Sequence, residues 1–152
     1  MADWNALAEG FRYDLWANRL WLDCLRRKGF PEPDTAIFRH IFSAQAVWVS
    51  RLEGVSPDHM LEVELTDEAT HDVHARWLTA LANLDEDRVV HYRRTNGDPQ
   101  NLPLSQIALH AINHGTYHRG ELRGLCMARG DVDFPETDRV LFWSEMCGPG
   151  AS

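Results

Sequence analysis

No stretch of the chain stays apolar for the ~18 residues that a membrane-spanning helix requires, so such a helix is excluded. Cysteine is scarce: Cys24, Cys126 and Cys147 are an odd number at wide spacing, with neither a CxxC pair nor a disulfide framework. They read as small buried hydrophobes suited to a reducing cytoplasm. The opening, Met1 to Gly10, carries Asp3 and Glu9 but no Lys or Arg, so no secretory leader is expected. Basic charge is in short supply as well, with 15 Lys and Arg against 23 Asp and Glu and a formal net charge of -8. Such a surface repels phosphate backbones and anionic lipid, which argues against nucleic acid and membranes as partners. Repeats, low-complexity tracts and long linkers are also missing. What is left is a chain of 152 residues with 44% hydrophobic content, enough for one domain over 1–152 with a proper core.

The apolar positions that are present follow a helical period. Trp4, Leu7, Phe11, Leu15, Leu22 and Leu25 mark one face of a first helix over Trp4 to Lys28, with Asn18 on the same stripe as an expected buried hydrogen-bonding amide. Arg26, Arg27 and Lys28 suit its last turn, Gly29 its left-handed stop, and Pro31 prevents continuation. Asp34 is the expected N-cap of a second helix carrying Ile37, His40, Ile41, Ala44, Trp48, Arg51 and Leu52 on one side, ended by Gly54 and Pro57. Thr66 caps a third, with Asp67 and Glu68 in its first turn, a stripe of Val73, Trp77, Leu78, Leu81 and Leu84, and a stop near Asp85.

Between Val89 and Leu104 a β-branched pair precedes Thr95, Asn96, Gly97, Asp98 and Pro99, a turn cluster able to close a short hairpin. Pro103 and Leu104 then lead into a long helix reaching Arg129, with Gly130 as its stop. The segment after it, with Phe134, Leu141, Phe142 and Trp143, is expected to fold back as a short apolar flap. The fold class expected is all-α.

Within the long helix His110, His114 and His118 recur every four residues. Successive members differ by about 40° around the axis, so the three share a face with Ile107, Ala111 and Leu125. One histidine on an apolar face is more often a hydrogen-bonded core residue than a ligand. Two at i and i+4 can reach one ion, and coordination offsets the desolvation of two buried imidazoles. A third ligand from another helix would complete an open tripod, and His40 qualifies from its inward stripe. Glu121 lies nearly in line with His114, where a carboxylate can bind the ion, orient a ligand or act as a general base; its bland alternative is a solvated or ion-paired side chain.

Several neighbouring chemistries fit poorly. His114-Gly-Thr-Tyr-His118 has Gly115 where a zinc protease needs its catalytic Glu. A di-iron carboxylate site needs two Glu-x-x-His pairs, and only Glu68-Ala-Thr-His71 fits, on an expected solvated helix start. Two buried histidines in a bundle leave haem open, without selecting it.

The segment His110-Ala-Ile-Asn-His114-Gly-Thr-Tyr-His118-Arg-Gly-Glu121-Leu resembles the signature of the DinB/YfiT-like metalloenzyme superfamily, the DinB family. His40 followed by Trp48 and Arg51-Leu52 is similar to that family's second helix, Trp16-Ala-Asn18 to its first, and Asp133-Phe-Pro through Trp143 to its closing segment. The resemblance implies a four-helix bundle of up-up-down-down course, usually a homodimer, with a divalent ion on His40, His114 and His118 and with His110 as a neighbour. Relatives often carry Gln at the position of Glu121 and an acid at that of Gln45. The family name implies stress expression through DNA damage.

Two classes of function follow. In the first, an ion such as Zn, Ni or Fe keeps a fourth position at which water or a low-molecular-weight thiol is activated for transfer or hydrolysis on a small molecule, as in relatives that use such a thiol. Arg51 and Arg119 are then candidates to pair with carboxylates of the cosubstrate, and Glu121 is the candidate catalytic acid or base. In the second, the ion stabilises a non-catalytic dimeric module that binds a small ligand or serves in stress, and the six tryptophans are core and interface residues.

Overall fold

The computed structural model describes residues 2–82 and 86–147. Its chain is mostly helical, in the order α1 (Trp4–Arg27), α2 (Asp34–Leu52), α3 (Asp67–Leu81), β1 (Val89–Arg93), β2 (Pro99–Pro103), α4 (Leu104–Ala128) and α5 (Arg139–Cys147). Leu84 and Asp85, the expected end of the third helix, lie outside the described residues, as does the side chain of Cys147.

Local chemistry sets most boundaries. Asp3 Oδ1 accepts from the Ala6 amide at 3.0 Å and starts α1, and Thr66 Oγ1 accepts from Ala69 at 3.1 Å and starts α3, each satisfying an amide that the helix itself leaves unpaired. Gly29 and Gly130 take φ of 75° and 72° just beyond α1 and α4, where a side chain would be strained. The antiparallel strands pair Val89 with Pro103 and Tyr92 with Gln100, and Gly97 at φ 92° lies in the connecting turn.

Asp34 is not the cap expected of it. Pro33 stands at the cap position without a side-chain bond, and Asp34 opens α2 from inside. Its buried carboxylate receives both arms of Arg129, Nη1 to Oδ1 at 2.8 Å and Nη2 to Oδ2 at 2.7 Å. A bidentate, charge-assisted pair is stronger than a single bond to a backbone amide, which accounts for the exchange. The closing segment also differs in form: it is the short helix α5, which buries Phe142 against Tyr13 and Ala17 while Leu141 and Trp143 stay exposed.

α1 packs on α3 and α4, and α2 packs on the same two helices. Two apolar clusters result. In one, Phe11 stacks on Trp77 with centroids 4.5 Å apart, beside Val49 and Ile107. In the other, Trp21, Phe38, Phe42 and Leu122 meet. Along α1, α2 and α4 the residues between these clusters are polar: Asp14 and Asn18, Gln45, and Arg119, all buried. Arg119 Nη1 donates to Asp14 Oδ1 at 2.6 Å and to Asn18 Oδ1 at 2.8 Å. Gln45 Nε2 and Asn18 Nδ2 both donate to Asp14 Oδ2, at 2.7 and 3.0 Å. Asn18 is thus the satisfied buried amide that its place on the apolar stripe predicts, and the charges in this layer are paired as burial requires.

Candidate metal centre

The contact of α2 with α4 brings His40 opposite His114 and His118. The last two are one helical turn apart, so their rings lean to the same side, with centroids 4.5 Å from each other and each 4.9 Å from His40 for the respective pair. One nitrogen from each ring lies within 4.8 Å of the others, a set able to hold a metal ion. None of the three rings is fully buried, so the site is reachable from outside.

The protonation states suit ligation. Burial first, then the neighbouring His118, His40 and His110, push the His114 imidazole down to about 4. Burial and His118 also lower His40, against a smaller opposing pull from Glu121. Both rings therefore stay neutral near pH 7, with lone pairs available. Nδ1 of His114 is one of several buried side-chain nitrogens without a hydrogen-bond partner among the described residues, and it belongs to a ring of the triad. His118 is held from behind: its Nδ1 lies 2.8 Å from Glu121 Oε2, which leaves Nε2 free. A divalent ion with a preference for imidazole fits this donor set.

His110, the remaining histidine on the face, is exposed, with its ring 5.7 Å from His114 and 5.4 Å from Trp48. It lines a cleft of about 610 Å³ that also takes in His40 and Arg51 and is walled by the hairpin through Tyr92 and Leu102. Arg51 lies in this cleft with its guanidinium carbon 4.4 Å from the centre of the Trp48 ring and 4.8 Å from that of Tyr92. Burial pulls its pKa below the ordinary arginine value. Arg119 does not line the cleft; it belongs to the buried pair with Asp14. Glu68 and His71 are both exposed on α3, as expected for a solvated helix start.

Two participants escaped sequence reasoning. Asp14, one turn before Asn18 on the buried face of α1, had a helical-spacing signal that an acidic residue on an apolar stripe provides. Tyr92 had none, because it reaches Arg51 only after the hairpin lies over α2.

The DinB family matches residues 35–139, which is more than half of the chain and includes every histidine of the triad. The chain belongs to the DinB family. Neither a curated protein nor a solved structure matches it. The DinB match runs from the first turn of α2 to the first residue of α5, so α1, which gives Asp14 and Asn18 to the buried polar layer, precedes it. No helix of the described residues is long and apolar enough to cross a membrane.

Proposed function

We propose that this DinB-family chain binds one divalent ion through His40, His114 and His118 and acts as a metal-dependent enzyme on a small molecule, by thiol transfer or by hydrolysis. The observation that carries the reading is the donor set itself: three imidazoles converge, and among the described residues no carboxylate or thiol joins them as a fourth ligand. A divalent ion held by these three residues would supply the Lewis acidity that makes a thiol or water nucleophilic at neutral pH. The chain's own residues do the rest. Neutral His40 and His114 offer lone pairs without first losing a proton, and Glu121 orients His118 by holding Nδ1. The cleft beside His40 gives a substrate its entry.

The fold that goes with this reading is a four-helix bundle of α1 to α4 in the family's up-up-down-down course, which the packing of α1 and α2 on both α3 and α4 supports. A homodimer is part of it, as is a reducing cytoplasm, in keeping with the free, buried Cys24 and Cys126. Light scattering and fractionation test these two points.

Cobalt substitution tests the chemistry. Protein loaded with about one Co²⁺ per chain is expected to develop a sulfur-to-cobalt charge-transfer band with a cellular thiol and to release one proton per thiol bound. His114→Ala loses the band. Cobalt spectra that ignore every thiol while solvent at the ion still exchanges would turn the assignment to hydrolysis. Spectra with four protein ligands and no exchangeable solvent would leave a non-catalytic, metal-stabilised module.

A further inference from the structure

Arg51 is 8% exposed, yet among the described residues no carboxylate comes within ion-pair distance of it, and its Nε has no hydrogen-bond partner. The comparison within the molecule is Arg119, more deeply buried at 2% exposed and likewise without a partner at Nε. Its Nη1 is nevertheless 2.6 Å from the Asp14 carboxylate, so the missing counter-charge is what sets Arg51 apart. A buried charge is costly unless paired, and the two aromatic rings beside Arg51 offset only part of that cost. The Trp48 and Tyr92 rings meet edge to face at 5.1 Å and leave the guanidinium in the corner between them, on the wall of the cleft.

The charge of the cleft is a second, separate observation. In a chain with 23 acidic residues against 15 basic ones, the charged residues of the lining are Arg51 and Arg94, and among the described residues it has no Asp or Glu. The cleft is locally basic inside an acidic protein, which concentrates anions there.

We propose that Arg51 is an anion anchor that receives the carboxylate of an elongated small molecule whose opposite end reaches the histidine triad. The fork of a guanidinium matches a planar carboxylate with two parallel hydrogen bonds. His40 and Arg51 stand on the same helix, eleven positions and so roughly 16 Å of axis apart. The Arg51 guanidinium lies over the ring of Trp48, three positions nearer His40 on α2, so it stands on the His40 side of its own backbone position. The ligand class is therefore a metal-directed donor and a carboxylate separated by a linker of several atoms, with its body against Trp48, Leu102 and Ile107. The role as substrate anchor depends on the metal-enzyme reading above, whereas carboxylate binding at Arg51 does not.

The experiment has two arms. Metal-free protein is titrated with octanoate and with octanol, read by NMR on the Trp48 indole N–H. Octanoate is expected to bind at least about tenfold more tightly, a difference within the range of a charge-assisted hydrogen bond. Arg51→Gln abolishes the difference, and Arg51→Lys restores part of it, keeping the charge but not the fork. The wild-type comparison needs no variant, so misfolding of either variant leaves it intact. Equal affinity of acid and alcohol for the wild type overturns the anchor. In the second arm Co²⁺-loaded protein is titrated with ω-mercapto acids of rising chain length against mercapto alcohols of equal length. The ratio of their affinities is expected to peak at an intermediate length. A cobalt–sulfur band with a ratio near one at every length overturns the anchor and leaves the thiol reading standing. No band at any length, with octanoate still preferred over octanol, overturns the thiol reading and leaves the anchor standing.

Discussion

Glu121 Oε2 lies 2.8 Å from Nδ1 of His118, a carboxylate holding the far side of a candidate metal ligand. The contact keeps the proton on Nδ1 and presents Nε2 as the donor. Glu121→Ala is expected to weaken metal binding about 10 to 100-fold, measured by competition with a chromogenic chelator. Glu121→Gln, which still offers Nδ1 an acceptor, recovers most of the loss. If the Ala variant bound metal as tightly as the parent while turnover collapsed, the carboxylate would be a proton acceptor in the reaction and not an orienting group.

The four histidines of the site divide into donors and a neighbour. His40→Ala, His114→Ala and His118→Ala each remove one of three converging nitrogens and are expected to abolish tight binding. His110→Ala leaves the set intact and costs no more than about 10 to 100-fold. Elemental analysis of protein purified without an affinity tag measures both. An essential His110 with a dispensable His40 would move the site into the cleft.

Gly115 has a packing reason for its place between the histidines. A Cβ there would run into Asp14 Oδ1 and Arg119 Nη1, the two halves of the buried ion pair. Gly115→Ala is therefore expected to destabilise by about 1 to 3 kcal/mol, the usual cost of overpacking. Gly120→Ala is the control: nothing lies within 4 Å of the added carbon, and a helix interior gains about 1 kcal/mol from the exchange. Thermal melts of the two variants should move in opposite directions.

The Asp34–Arg129 pair predicts an asymmetry and a pH signature. The Asp34 side chain is 1% exposed and that of Arg129 44%, so losing the arginine strands a buried carboxylate, while losing the carboxylate lets the arginine turn to water. Arg129→Met should destabilise the fold near pH 7, and Asp34→Asn distinctly less. The hydrogen bonds from Arg129 hold the Asp34 carboxyl below its usual range. Its contribution is thus fully present above the unfolded value of about 3.9 and is lost as pH falls through the lower folded value. In Arg129→Met the stranded carboxyl is expected to titrate above its unfolded value, so that variant loses its deficit on acidification. Denaturant melts between pH 7 and 3 that kept the gap constant would contradict this.

Features decided by neighbouring residues could be read before folding. Gly29, Thr66 and Gly130 each fix a helix end by themselves, and the turn cluster around Gly97 was enough to indicate a hairpin. The histidine face was legible for the same reason, since a four-residue spacing becomes a shared direction on any helix. Roles set by partners far along the chain were not legible. Asp34 looks like a cap until Arg129, 95 positions later, folds onto it. Arg119 carries no sign in its own surroundings of Asp14, 105 positions earlier. Even with all four helices in place, Arg51 has half of its aromatic corner missing until β1 delivers Tyr92.

The hairpin therefore divides labour within the chain. It contacts α2 through β1 and α4 through β2, yet contributes no ligand to the triad. The turn and the outward-facing strand positions can change in charge or bulk and so alter the wall of the cleft, whereas Val90 and Tyr92 are tied to the helices by the core they share with Val49 and Ile107. Editing those few outward positions would redraw the mouth of the cleft and leave the three histidines where α2 and α4 hold them.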